Sequence, residues 1–257
     1  MRFKDHAFCI RHLDWSETSQ VVALLTREHG QVRGLAKGSK RMSPSSIARF
    51  SGGIELLTRG EVVGIVKPSA ELATITEWDL QESYPHLRSD LTAHRLALYA
   101  ADLAHAMVAE QDAHPRVFDA LAQLFDGVRE AASGGAALLR YQWVVLEDCG
   151  YRPELELDAE TGEPLGAAAS YLFDARAGGL RVAKGLDVPA ANGSGPWRVR
   201  RETVEMLRSV ARGEEVQSAK PQAAQATERA NRLLCVYIRA ILDRALPTMS
   251  FVLGESL

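Results

Sequence analysis

The hydrophobic pattern of this chain changes period once, near Pro85, and no other feature constrains the fold as much. Ahead of that point, from Ala7 to about Glu82, apolar residues come in short runs separated by Gly and Ser. The runs are Val21 to Thr26, Gln31 to Ala36 after His29-Gly30, Ile54 to Thr58 after Gly52-Gly53, Glu61 to Val66 after Arg59-Gly60, and Glu71 to Trp78. Runs of that length between turn residues read as strands. About five of them predict a small antiparallel barrel or sandwich. Beyond Pro85 the spacing becomes helical. Leu87, Leu91, Leu96, Tyr99, Leu103 and Met107 recur at three- to five-residue steps, and Val117, Phe118, Leu121, Leu124, Phe125 and Val128 follow the i, i+3, i+4, i+7 rule of an amphipathic helix. Ala136 to Cys149, Val199 to Ala211 and Ala223 to Leu246 predict three more helices, the last stopped by Pro247.

Between the third and fourth of these helices, Tyr151 to Trp197 is Gly-rich, with short strand-like runs at Tyr171 to Phe173 and Leu180 to Val182. The chain therefore reads as an α+β, multidomain protein: a β domain over 1–82, a helical domain over 83–257, and a β-rich insertion with a loop over 151–197. With 46% hydrophobic residues and 25% charged, it has enough apolar surface to bury a core, which excludes wholesale disorder. Cys9, Cys149 and Cys235 form no C-x-x-C pair, as expected of a reducing cytoplasm rather than a secreted disulfide framework. Met1 to Trp15 lacks the pattern of a signal peptide, and the most apolar helical stretch, Leu96 to Ala109, carries Asp102 and His105. No apolar run approaches the roughly 18 to 20 residues a membrane span needs, so cytoplasmic localisation without a membrane partner is expected.

The net charge of −3 conceals an uneven distribution. Lys and Arg against Asp and Glu number 11 and 9 over residues 1–80, 5 and 10 over 81–150, 4 and 7 over 151–197, and 10 and 7 over 198–257. The local surplus is sharpest between Arg27 and Phe50, where Arg27, Arg33, Lys37, Lys40, Arg41 and Arg49 face Glu28 alone. Its second half, Lys37 to Ser46, is rich in Gly, Ser and Pro. A loop of that kind presents cations to phosphates without burying them and leaves backbone N–H groups accessible, although charged loops are also ordinary solvated surface.

Motifs for covalent chemistry fail. Gly34-x-x-x-Gly38-Ser39-Lys40 has one residue too few between its glycines for a phosphate loop, and its Ser precedes the Lys. G-x-S-x-G, H-E-x-x-H and G-x-G-x-x-G are absent. His94 and His105 share a helix face, but no third ligand at a fitting spacing accompanies them, so packing or surface roles are favoured over a metal pair.

The segment Thr18 to Arg41 (TSQVVALLTREHGQVRGLAKGSKR) resembles the opening of the RecO family of bacterial DNA-repair and recombination-mediator proteins. Further pieces agree in order: Thr76-Glu77, Glu82-Ser83-Tyr84, Leu87-Arg88-Ser89-Asp90-Leu91, Gly150-Tyr151-Arg152-Pro153-Glu154-Leu155 and Gly178-Gly179-Leu180. The resemblance implies an N-terminal OB-fold barrel followed by a helical domain. It also implies binding of single- and double-stranded DNA, annealing of complementary strands, and work with RecR, the single-strand binding protein and possible RecF to load RecA. Many relatives hold zinc with two C-x-x-C pairs in the β-rich insertion. Aligned on the flanking elements, those four positions fall at Asp158, Thr161, Val182 and Gly185, none of them Cys. This predicts a zinc-ribbon-like insertion with no zinc and no other cofactor. It would be held instead by Leu157, Leu165, Tyr171, Phe173 and Leu180, and be more mobile than a zinc-held one.

On this reading Arg33, at a strand end, and Lys37, Lys40 and Arg41, in the loop after it, are the first candidates for phosphate contacts, with Arg27 and Arg49 behind them. About five neutralised phosphates predict a slope of log affinity against log salt of roughly −3.5 on single strands and −4.5 on duplex. Trp15, Phe50 and Trp78 are candidates for base stacking, with core packing the favoured role for most of them. Arg198, Arg200, Arg201, Arg208, Arg212, Arg229, Arg232, Arg239 and Arg244 are expected to make mainly intramolecular salt links, the alternative being an extended basic surface. The expected function is that of a non-enzymatic DNA-binding recombination mediator with no catalytic residues. The alternative is an adaptor that docks the single-strand binding protein or RecR without direct DNA contact by the basic loop.

Overall fold

In the computed structural model, which describes residues 1–67, 69–129, 133–182, 195–216 and 220–254, the first strand is also the longest, β1 at Arg2–Asp14. Asp5, His6, Arg11 and His12 disguise it in the sequence. His6 alternates with the buried Phe3, Asp5, Ala7 and Cys9, Arg11 and His12 lie on the exposed end of the strand, and the buried Asp5 carboxylate accepts from Glu28 N–H at 2.9 Å. β1 pairs antiparallel with both β2 (Gln20–Thr26) and β4 (Arg59–Ile65), and an irregularity between Cys9 and Arg11 lets it bend from one neighbour to the other. β2 turns at Gly30, φ +66°, into β3 (Gly30–Ala36), which runs parallel to β5 (Ala73–Glu82). The order β1-β2-β3-β5-β4 closes on itself, the strand order of an OB-fold barrel.

Between β3 and β4 lies α1, Pro44–Phe50, a helix that begins inside the Gly/Ser/Pro-rich stretch where the composition predicts a loop. Its signal was local: the Ser43 side chain accepts from Ser46 N–H as N-cap, and Pro44 occupies the first helical position. Phe50 joins Phe3, Cys9, Val22, Leu24, Val32, Ile54, Val62, Ile75 and Trp78 in the barrel core. Gly60 is required there, since a Cβ would come within 2.7 Å of Trp78. Ile54 to Thr58, expected as a strand, is a tight irregular segment. Leu57 takes a left-handed conformation (φ +61°), its N–H donating to Cys9 O while Cys9 N–H donates to Thr58 O, and Ile54 and Leu57 bury their side chains.

Contacts divide the chain into Met1–Ala131 and Ala132–Leu257. The period change near Pro85 is thus a change of element type, and the next helices share the barrel's unit: α2 (His86–Ser89), α3 (Leu91–Met107) and α4 (Pro115–Gly127). Phe8, on the outer side of β1, meets Phe118 and Phe125 of α4 at 4.8 and 5.4 Å. This explains the unbroken buried run Ala7 to Ile10. His94 and His105 serve packing: their Nδ1 atoms lie 3.0 Å from Leu87 O and from Gln31 Oε1.

The second unit contains α5 (Gly134–Asp148), α6 (Arg201–Ala211) and α7 (Pro221–Leu242), with a three-stranded sheet in the order β7 (Gly179–Arg181), β6 (Ser170–Asp174), β8 (Trp197–Arg200). A buried Gln142–Asn231 hydrogen bond of 2.7 Å ties α5 to α7. The chain leaves α7 at Asp243, in a left-handed conformation, ahead of Pro247. β8 takes in Val199, expected to start a helix, because the residue is buried as it pairs with Tyr171. Tyr171, Phe173 and Leu180 are buried as expected of the insertion's core, but Leu157 is exposed and Leu165 only half-buried. Of the expected zinc-ligand positions, Gly185 lies outside the described residues.

Candidate nucleic-acid interface

Two segments of the barrel, the β1–β2 turn and the stretch from β3 into α1, enclose a cleft of about 330 Å³. It is lined by Lys37, Arg41 and Arg49 together with Trp15, Ser16, Ser19, Leu35 and Gly38. No carboxylate lines it, and Lys37 and Arg41 have no acidic partner among the described residues. Arg49 sits on α1 with its guanidinium 5.4 Å from the Phe50 ring centroid and a long 3.4 Å bond to Ser45 O. Trp15 is 66% exposed, whereas Phe50 and Trp78 are each 1% exposed and belong to the core. Of the three aromatics named as stacking candidates, only Trp15 offers a ring to solvent.

The loop that presents these cations is pinned, contrary to the open Gly/Ser loop expected. Gly38 adopts φ +72° to turn the chain, its N–H donating to Ser19 Oγ at 3.2 Å, while Arg41 N–H donates back to Gly38 O at 3.1 Å and Lys40 N–H donates to Thr18 O at 3.1 Å. The Ser46 hydroxyl also donates to Gly38 O. Ser39 is fully buried and donates to Gln20 Oε1 at 2.9 Å. Gln20 Oε1 also accepts from Ile54 N–H, and its Nε2 donates to Ile54 O, both at 3.1 Å. These backbone N–H groups therefore serve the fold, leaving phosphate contacts to side chains. A polar residue at the start of the apolar run from Val21 to Leu25 was the one sequence signal for the Gln20 pin.

The other candidate residues have acidic neighbours. Lys40 Nζ lies 2.7 Å from Asp14 Oδ2, a hydrogen bond that holds the Asp14 carboxyl below the usual carboxylate range. Arg33 lies mid-strand opposite Ala23, rather than at a strand end, with Nη1 3.5 Å from Glu110 Oε1. It borders a separate hollow with Arg11, His12 and His105. Arg27 is gripped by Asp119 through two bonds of 3.1 and 3.0 Å and by Glu28 at 2.6 Å, partners that raise its pKa further above the ordinary guanidinium value. The six candidates thus separate into three that share the cleft, two in single exposed ion pairs, and one, Arg27, held by two carboxylates.

At the expected zinc positions, the Asp158 carboxylate is 3% exposed. Its Oδ1 accepts from the N–H groups of Glu160 and Thr161 at 2.9 and 3.0 Å, and its Oδ2 accepts from Val182 N–H at 2.8 Å. Asp158, Thr161 and Val182 supply one carboxylate and one hydroxyl, which do not fit a tetrahedral thiolate site. Among the described residues no cluster of three His, Cys, Asp or Glu is placed to hold a metal.

A closed five-stranded barrel in OB order, bearing a basic cleft with an exposed indole at its rim, defines an OB-fold protein with a predominantly helical C-terminal unit. Residues 1–84 match the family model described as Recombination protein O N terminal, and residues 88–249 match Recombination protein O C terminal. The chain belongs to the RecO family of DNA repair proteins. It is 28% identical to DNA repair protein RecO of Anaeromyxobacter dehalogenans over 98% of this chain and 96% of that one. It is 26% identical to RecO of Myxococcus xanthus over 98% and 97%, and 28% identical to RecO of Dehalococcoides mccartyi over 69% and 68%. No helix among the described residues is long and apolar enough to cross a membrane.

Proposed function

We propose that this protein is a non-enzymatic recombination mediator that binds single- and double-stranded DNA through the cleft on its barrel and anneals complementary strands. In this role it helps load RecA on strands coated by the single-strand binding protein, working in the cytoplasm with RecR as a partner. The observation that carries the reading is the grouping of Lys37, Arg41 and Arg49 around one carboxylate-free cleft beside exposed Trp15. Cations on a pinned loop neutralise phosphates at a small entropic cost, and an exposed ring stacks on any base, so binding would be strong in low salt and indifferent to sequence. Lys40 and Arg33 would join by exchanging Asp14 and Glu110 for phosphate, since exposed ion pairs of this kind are weak and screened by solvent. Annealing requires no bond to be made or broken by the protein, only two neutralised strands with their bases left accessible. Fluorescence anisotropy of a labelled oligo(dT) against the Lys37→Ala/Arg41→Ala variant tests this. Weakened binding with a shallower salt dependence is expected, and unchanged binding would favour the adaptor reading.

The same proposal extends to the insertion, which we read as zinc-free. Asp158 supports this, because its two oxygens already join the 160–161 turn to Val182, the two segments in which zinc would otherwise have to be held. Metal analysis of the purified protein is expected to find less than stoichiometric zinc. One tightly bound equivalent would overturn the reading.

A further inference from the structure

Apart from Arg244, the C-terminal arginines divide into two groups. Arg201, Arg208 and Arg212 make the internal contacts expected of them, pairing with Glu205, Glu156 and Glu214 respectively. Arg198, Arg200, Arg229, Arg232 and Arg239 instead converge on a single cavity of about 450 Å³ in the second unit, with no carboxylate in its lining among the described residues. The arrangement follows from element geometry. Positions 229, 232, 236 and 239 of α7 repeat at the three- and four-residue steps of one helix face. β8 is an edge strand of its sheet, so both of its faces border the cavity, Trp197 and Val199 from one and Arg198 and Arg200 from the other.

Of the five guanidiniums, Arg232 has an exposed partner in Glu228 at 3.4 Å. Arg198 and Arg229 hold only the hydroxyls of Ser170 and Thr203, at 3.3 and 3.2 Å. Arg200 and Arg239 have no acidic partner among the described residues. Trp197 closes one wall, braced by Phe173 in a near-parallel stack at 5.8 Å and 11°. Like charges gathered without counter-charge oppose folding, and they fit a polyanion that supplies the missing negative charge. The planar guanidiniums match phosphate oxygens, and the braced indole matches a base.

We propose that this cavity is a second binding site for single-stranded nucleic acid, contacting the sugar-phosphate backbone through Arg200 and Arg239 and a base through Trp197. It rests on the reading of the protein as a DNA-binding mediator and adds the position of a second strand, which annealing requires. Oligo(dT) affinity is measured across a salt series for the wild type, the cavity variant Arg200→Ala/Arg239→Ala, its conservative counterpart Arg200→Lys/Arg239→Lys, and the cleft variant Lys37→Ala/Arg41→Ala. Annealing rates are taken on the same samples, and polyglutamate binding serves as the polypeptide control.

The cavity variant is expected to flatten the single-strand salt slope by about 1.4 and to slow annealing about tenfold through lost steering, with the lysine pair retaining the slope. Unchanged slope and annealing in the cavity variant, with the cleft variant impaired, would overturn this site and leave the cleft standing. An unimpaired cleft variant beside an impaired cavity variant would overturn the cleft and leave this site standing. Loss of polyglutamate binding with DNA binding intact would assign the cavity to an acidic polypeptide and overturn the proposal.

Discussion

Replacing Gln20 with Leu keeps the bulk of a side chain at the base of the basic loop while removing its amide. The change strands three groups in a buried place: the Ser39 hydroxyl, Ile54 N–H and Ile54 C=O, now bonded to Gln20 at 2.9, 3.1 and 3.1 Å. Ser39 and Ile54 are fully buried and Gln20 is 5% exposed, so water cannot replace the lost partners without opening the site. At about 1 kcal/mol for each orphaned group, the cost is about 3 kcal/mol. For a cooperative unit of this size that lowers Tm by about 10 °C. Thermal unfolding followed by circular dichroism measures the loss. Hydrogen exchange at the Gly38 and Lys40 amides, which donate to Ser19 Oγ and Thr18 O, reports whether the loop itself has loosened. A fall in Tm below about 3 °C, or unaltered protection of both amides, would refute the claim that Gln20 pins the loop.

Asp158→Ala is expected to free the N–H groups of Glu160, Thr161 and Val182 together, destabilising the insertion by about 2 to 3 kcal/mol and raising exchange at those amides; unaltered protection would contradict this. Acid should loosen the same region. Burial alone would raise the Asp174 carboxyl, but hydrogen bonds from Arg181 and from the N–H groups of Ala177 and Arg176 hold it below its ordinary range, and the N–H groups of Glu156 and Leu157 do the same for Glu154. Folded-state values below the unfolded ones contribute stability above about pH 4 that is lost as pH falls further. Asp174→Asn should therefore flatten the acid limb of the stability curve, and an unaltered limb would count against it. Thiol labelling of the native protein should leave Cys9 unreacted, since full burial raises its pKa and denies access, while half-buried Cys149 is the more reactive; rapid native labelling of Cys9 would contradict the buried assignment.

The sequence carried the barrel and the helices because each rests on a repeating pattern. It misjudged β1 and Ile54 to Thr58 for opposite reasons. In β1 the buried Asp5 and the exposed run from Arg11 to Asp14 masked its length, whereas Ile54 and Leu57 are apolar because they bury side chains from an irregular backbone, which a hydrophobic run alone does not distinguish from a strand. Charge counting found the basic segment but not which cations are free, since the partners lie far along the chain: Asp119 for Arg27, Glu110 for Arg33 and Asp14 for Lys40. The same limit hid the arginine cavity. Arg198 and Arg200 meet Arg229, Arg232 and Arg239 only after β8 is laid at the sheet edge, a strand whose first residue, Trp197, the sequence assigns to a loop and whose last two, Val199 and Arg200, to a helix.

The central claim is that Lys37, Arg41 and Arg49 on the OB barrel neutralise nucleic-acid phosphates. The direct test is the salt dependence of oligo(dT) affinity for the wild type and for the Lys37→Ala/Arg41→Ala/Arg49→Ala variant, whose three side chains are exposed and so can be removed without disturbing the core. Three lost phosphate contacts are expected to flatten the slope of log affinity against log salt by about 2. Parallel lines for the two proteins, with affinity unchanged at low salt, would contradict it.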